Sequence, residues 1–142
     1  DLSEDEPIDR RRLAEPAAMV PKGGALIIRT DWDRYWGQER YFRHPYLTSE
    51  AAQALVAAGV SLVGIDALNV DSTLQGTTHV HQILLENGLL IVENLAGLGQ
   101  LEPGEIYQFS FLPLSLAGLD GSPVRAVAWK YTSPVARSAG ED

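Results

Sequence analysis

An α/β fold, a mixed sheet packed with helices, is predicted by three observations. Apolar runs at 25–29, 60–66 and 89–93 have the length of buried strands. Segments 49–58 and 79–87, lying between them, have the composition and boundaries of helices and are each followed by a glycine. Two further strand-like stretches, 106–116 and 124–131, complete the pattern, and helices alternating with apolar strands define the class. No internal repeat is present.

The elements follow in order. Residues 1–20 are polar and broken by proline, with a short helix from Asp9 to Ala18. Lys22-Gly23-Gly24 is a turn, and Ala25 to Arg29 a buried strand. Asp31 to Gly37 is an aromatic-rich connection, and Pro45 closes that excursion. A helix runs from Ser49 to Ala58. Thr48 or Ser49 caps its free amides, Glu50 suits the positive end of its dipole, and Gly59 stops it. Val60 to Asp66 is the second buried strand, and residues 67–78 form a polar loop. Thr78 is placed to cap a helix from His79 to Asn87, which Gly88 ends, and Leu89 to Glu93 is the third strand. After a glycine-rich loop at 96–104, Ile106 to Leu116 shows partial alternation, weakened by Pro113. Asp120 to Pro123 is a turn, Val124 to Tyr131 the last strand, and residues 133–142 read as a disordered tail. The strands at 25–29, 60–65, 89–93 and 124–130 are expected to be buried on both faces.

Composition narrows the function. A chain of 142 residues with 45% apolar content fits one domain with a real core. A net charge of −8 disfavours nucleic acid as a partner, because phosphate recognition relies on basic patches. Arg10, Arg11 and Arg12 are the one basic cluster. They follow five acids, and a solvated face explains them. With no cysteine there is no disulfide, thiolate nucleophile or thiolate zinc site, which fits a cytoplasmic protein. No apolar run has the length of a membrane span. The first residue is Asp1 rather than methionine, which fits a processed or fragmentary chain.

The stretch from His79 to Asn94 carries the chemistry. On a helix, His79 and His81 lie about 200° apart and do not easily serve one ion. His81 opens a helix about 10 Å long, and Glu93 ends a strand covering roughly 16 Å. With Gly88 reversing the chain, Glu93 can return to the level of His81 at the carboxyl edge of the sheet, where open α/β sheets bind ligands. A histidine beside leucines is more often a satisfied structural residue, and two ligands do not close a zinc site. Elsewhere the signals are weaker. His44, before Pro45, reads as a loop residue. Ser72, Thr77 and Thr78 lack a G-x-S-x-G elbow, and Lys22-Gly23-Gly24 lacks the rest of a phosphate loop. Trp32, Tyr35, Trp36, Tyr41 and Phe42 fit either an aromatic pocket or a core.

Four segments, 23–36, 44–71, 81–95 and 109–128, together resemble the cyclase family, which includes the bacterial kynurenine formamidases. The H-x-x-L-L and E-N-L of 81–95 and the ending Asp-Gly-Ser-Pro-Val-Arg-Ala-Val-Ala are the more specific parts. The resemblance implies a mixed sheet packed with helices, usually dimeric. It also implies a divalent metal, commonly zinc or manganese, and hydrolysis of an amide-type bond in a small-molecule substrate such as an aryl formamide. The family's later histidine and glutamate ligands map onto His81 and Glu93.

The family's main signature, H-x-G-T-H-x-D-x-P-x-H, supplies two histidines and an aspartate to the metal and a further histidine for acid–base work. No segment of these 142 residues matches it, and Gly76-Thr77-Thr78-His79 echoes it with the wrong spacing. Residues 1–132 therefore resemble the C-terminal portion of one family domain. Three readings follow: a metal-dependent hydrolase completed by sequence outside these residues or by another chain, a metal-free relative that binds a small molecule, or a structural subunit completing another polypeptide.

Overall fold

The computed structural model describes residues 2–130, which fall into two compact units on either side of the Glu102–Pro103 junction. The disordered-tail expectation lies outside the described residues. In chain order the elements are β1 (Pro7–Ile8), α1 (Arg10–Met19), β2 (Ala25–Ile28), β3 (Tyr46–Leu47), α2 (Ser49–Ala58), β4 (Leu62–Ile65), α3 (His79–Glu86), β5 (Leu90–Val92), β6 (Gln108–Pro113) and β7 (Val124–Trp129). Short 3₁₀ turns at Trp32–Tyr35, Glu39–Arg43 and Leu98–Gln100 interrupt the connections.

The class is α/β as predicted, with parallel and antiparallel pairing in separate sheets. In the first unit β2, β4 and β5 form a parallel sheet with β4 in the middle, and β1 pairs with β3 in a parallel two-residue ladder. In the second unit β6 and β7 form an antiparallel pair.

The helix boundaries follow from their ends. Asp9 caps α1 by accepting the Arg11 and Arg12 amides at 3.0 and 3.1 Å. Arg10, Arg11 and Arg12 are exposed, and Arg12 pairs with Glu6, so the solvated reading holds. Thr48 caps α2 through the Ala51 amide at 3.2 Å, and Gly59 ends it. At Gly88 (φ +76°) the backbone enters the left-handed region that glycine tolerates without a Cβ clash. The Gly88 and Leu89 amides then return to Leu85 and Leu84, and α3 stops where β5 must begin.

The core of the first unit lies between the parallel sheet and the helices. Leu55, Val63, Ile65, Val70 and Leu84 are fully buried, as are Ala51 and Ala52 of α2. Gly64 sits where the sheet is covered most closely. A Cβ there would lie 2.7 Å from Ile27 Cδ1 and 2.9 Å from Leu95 Cδ1. Burial on both faces holds for β4 but not for every strand. Leu90 of β5 is 63% exposed, and Val127 and Trp129 of β7 are each 45% exposed. β4 is flanked by strands on both edges, whereas among the described residues β7 has only β6 beside it, and a two-stranded ribbon offers little cover for either face.

His44, expected as a loop residue, lies outside regular structure but is only 1% exposed. Its Nδ1 lies 2.9 Å from the Pro45 carbonyl and its Nε2 2.7 Å from Thr73 Oγ1. The carbonyl only accepts, so Nδ1 carries the proton and the threonine hydroxyl donates to Nε2.

Two outcomes are expected. Apolar side chains on both units, among them Leu85, Leu90, Leu112 and Trp129, are exposed, so the purified 142-residue chain should associate as its concentration rises. Analytical ultracentrifugation checks this, and a compact monomer at all concentrations would contradict it. Burial pushes the His44 imidazole below its ordinary value of 6.5, only partly opposed by the Pro45 carbonyl and the Asp5 charge. The unfolded chain therefore takes up this proton first, and stability should fall as pH drops below 6.5 toward the folded value. Urea titrations across that range should show the loss, and His44→Gln should flatten it.

Candidate metal centre

The two residues singled out in the sequence meet at the carboxyl edge of the parallel sheet. Glu93 follows β5, His81 sits in the first turn of α3, and His81 Nε2 lies 3.3 Å from Glu93 Oε1. His79 is exposed and lines a small pocket with Tyr46, Thr48, Gln75 and Thr77, while His81 turns to Glu93.

A residue the sequence reading missed sets this geometry. Thr78 was expected to cap α3, but its side chain makes no capping hydrogen bond. Asp71 does the capping from the preceding loop. Its Oδ1 accepts the Val80 amide and its Oδ2 the His81 amide, both at 2.9 Å, and Oδ2 also lies 2.9 Å from His81 Nδ1. An anion at the positive end of a helix is favourable on charge alone. Burial by itself pushes the Asp71 carboxyl up. The Val80 and His81 amides and the His81 ring outweigh it and hold the carboxyl below its ordinary value.

An ionised Asp71 accepts only, so His81 must donate from Nδ1. Nε2 is thereby aimed at Glu93, the arrangement in which a carboxylate orients a metal-binding histidine. Glu93 is held in turn by the Val70 amide, 2.9 Å from Oε1. Burial pushes its carboxyl up, Val70 and His81 oppose this, and the Asp71 charge adds to it.

Further groups surround the pair. Buried Asp66, at the end of β4, accepts the Thr30 amide and hydroxyl at 2.7 and 2.6 Å and the Asp31 amide at 2.9 Å, tying the ends of β2 and β4 together. Tyr41 donates its hydroxyl to Asn94 Oδ1 at 2.8 Å, next to Glu93. Its phenol is pushed up to about 12, by burial first and then by the Asp66, Asp33 and Glu93 charges. Of the aromatic cluster, Trp32 and Tyr41 are core, Tyr35 is half-buried, and Trp36 and Phe42 are exposed.

An imidazole nitrogen and a carboxylate oxygen suit zinc or manganese, and both are preset by hydrogen bonds on their far sides. Among the described residues no cluster of three or more His, Cys, Asp or Glu side chains is arranged to hold an ion. Both Asp71 oxygens are taken up by amides and the His81 ring, so Asp71 positions rather than ligates.

The Cyclase family model matches residues 4–72. A kynurenine formamidase of Bordetella avium is 41% identical over 117 residues, covering 81% of this chain and 53% of that protein. This chain belongs to the cyclase family. It spans about half the length of such relatives. A structure described as a predicted metal-dependent hydrolase from Bacillus stearothermophilus aligns with a TM-score of 0.72 at 25% identity, over 86% of this chain and 56% of that one. An isatin hydrolase bound to the product analogue thioisatinate shares the fold with a TM-score of 0.78 at 23% identity, over 88% of this chain and 53% of that one. Among the described residues of this cyclase-family chain, no helix is long and apolar enough to cross a membrane.

With two donors, the 142-residue chain by itself should bind zinc or manganese weakly. Equilibrium dialysis at equimolar zinc should leave most of the ion free, and tight stoichiometric uptake would contradict the two-ligand count.

Proposed function

We propose that His81 and Glu93 are this chain's share of the divalent-cation centre of a hydrolase acting on an amide-type bond, an aryl formamide or a cyclic amide. The kynurenine formamidase relative and the family fold support the reaction class. One observation carries the ligand assignment. His81 Nε2 and Glu93 Oε1 face each other at 3.3 Å, each held on its far side by Asp71 or the Val70 amide, so a cation between them, a metal ion or a proton, makes the contact favourable.

A zinc or manganese ion there would polarise a carbonyl oxygen and acidify a water it holds. The chain's own residues do the rest. Asp71 fixes the ring and its tautomer. The Val70 amide fixes one Glu93 oxygen. Asp66 keeps the ends of β2 and β4 in register beside the pair. The remaining ligands and the acid–base histidine come from outside these 142 residues, in the same polypeptide or a complementing chain, and the small-molecule substrate binds where the parts join. A metal-free role in completing another chain is the second reading. It is favoured by the absence of a third donor among the described residues, since a proton can also bridge the pair.

When the rest of the centre is supplied, Glu93→Gln should lower metal-dependent formamide hydrolysis by about a hundredfold or more and reduce bound metal. Gln keeps the Val70 hydrogen bond but loses the charge. His79→Ala should change activity by no more than about twofold, as for an exposed residue outside the site. Equal losses for both with metal retained, read by activity and elemental analysis, would leave the assignment without support.

A further inference from the structure

Four consecutive loop residues each hold something different. The Val70 amide holds Glu93, and the Asp71 carboxylate holds His81. Ser72 Oγ donates to Asp5 Oδ1 at 2.8 Å, and Thr73 Oγ1 lies 2.7 Å from His44 Nε2. The first two grip the candidate ligands, and the second two grip the opposite side of the fold. His44 is buried and has both ring nitrogens engaged, Nδ1 by its own Pro45 carbonyl. Asp5 is fixed by its amide on the Arg43 carbonyl, one residue before His44. Residues 72–77 close on themselves through Thr77 N to Ser72 O and Gly76 N to Thr73 O, so a tie at 72 or 73 anchors the whole turn.

We propose that His44 and Asp5 are positioning residues for the His81–Glu93 pair, acting through Thr73 and Ser72 on the adjoining Asp71 and Val70. The proposal rests on the metal-centre reading for its purpose but not for its geometry. The loop has no helix or strand of its own between β4 and α3, so its shape is set by hydrogen bonds: within it from Asn69, Ser72 and Thr77, and out of it through these side-chain ties, Gln75 on Tyr46, Leu47 N on Val70 O and Asn94 N on Ala67 O. Releasing Thr73 or Ser72 frees the chain one or two residues from the carboxylate that selects the His81 tautomer.

The test uses the 142-residue chain with ¹⁵N-labelled histidine, where ring-nitrogen shifts report which atom of His81 carries the proton, together with amide exchange at Val80 and His81. In the wild-type chain His81 should show a single tautomer protonated at Nδ1. Thr73→Val, which keeps the shape and removes the hydroxyl, and Ser72→Ala, which removes the 2.8 Å Asp5 bond together with the acceptor of the Gln75 amide, should each mix the tautomers, and Asp5→Ala, which leaves that amide's acceptor in place, should do the same. Each should also speed exchange of the two amides by about three- to tenfold, as for loss of one net hydrogen bond. Thr73→Ser should restore the wild-type pattern, which a general loss of stability would not explain. If Thr73→Val does not fold, Ser72→Ala and the Thr73→Ser rescue carry the same comparison. Unchanged His81 shifts and exchange in the folded Thr73→Val and Ser72→Ala chains would overturn the proposal. Asp71→Asn separates the two readings. If it alters the His81 tautomer while the loop variants do not, the metal-centre reading stands and the positioning proposal fails. If even Asp71→Asn leaves the tautomer unchanged, the orientation of His81 has another cause and both fail.

Discussion

Much of the candidate site depends on one buried carboxylate. Asp71 satisfies two of the amides that the start of α3 leaves open and, with the same oxygen pair, fixes the His81 ring. A capping residue from α3 itself would have started the helix without orienting the histidine. Because the cap comes from a loop anchored elsewhere, the start of α3, the tautomer of His81 and the path from β4 to α3 form one arrangement. Removing the carboxylate, as in Asp71→Ala, would strip three hydrogen bonds at once, each charge-assisted and worth about 1.5–3 kcal/mol where desolvated.

Glu93 belongs to the same arrangement from the opposite direction. Among the described residues its strand pairs with β4 alone, and its carboxylate accepts the Val70 amide. The half-buried Glu93 carboxylate is thereby presented to the His81 ring rather than to open solvent. Family membership, the kynurenine formamidase relative and this pairing point the same way, and this chain covers about half of the relative's length.

Much of this was legible in the sequence, and the gaps have physical causes. The span of α2 was readable because Thr48 and Gly59 mark its ends in the local sequence. The approach of His81 to Glu93 was legible because a helix, a glycine and a strand of known rise return the chain to its starting level. Asp71 was missed because its partners are nine and ten residues away and Thr78 offered a nearer cap. β1 and β3 are two residues each and leave no periodicity to detect. His44 has no local sign of its burial, since Thr73 lies 29 positions along the chain. The exposure of β7 was misjudged because an apolar run reports that a strand needs cover, not whether cover is present.

Gly64 gives the sheet a fixed gauge. With no Cβ at the middle of β4, Leu95 settles directly onto the strand, and its amide reaches the Ile65 carbonyl at 3.1 Å. Leu95 stands two residues beyond Glu93, with Asn94 in the left-handed conformation between them. The height of a leucine side chain above bare backbone therefore determines how far the chain rises as it leaves β5, and so the level at which the Glu93 carboxylate meets His81. A single missing methyl in the floor of the sheet is part of what sets the width of the site.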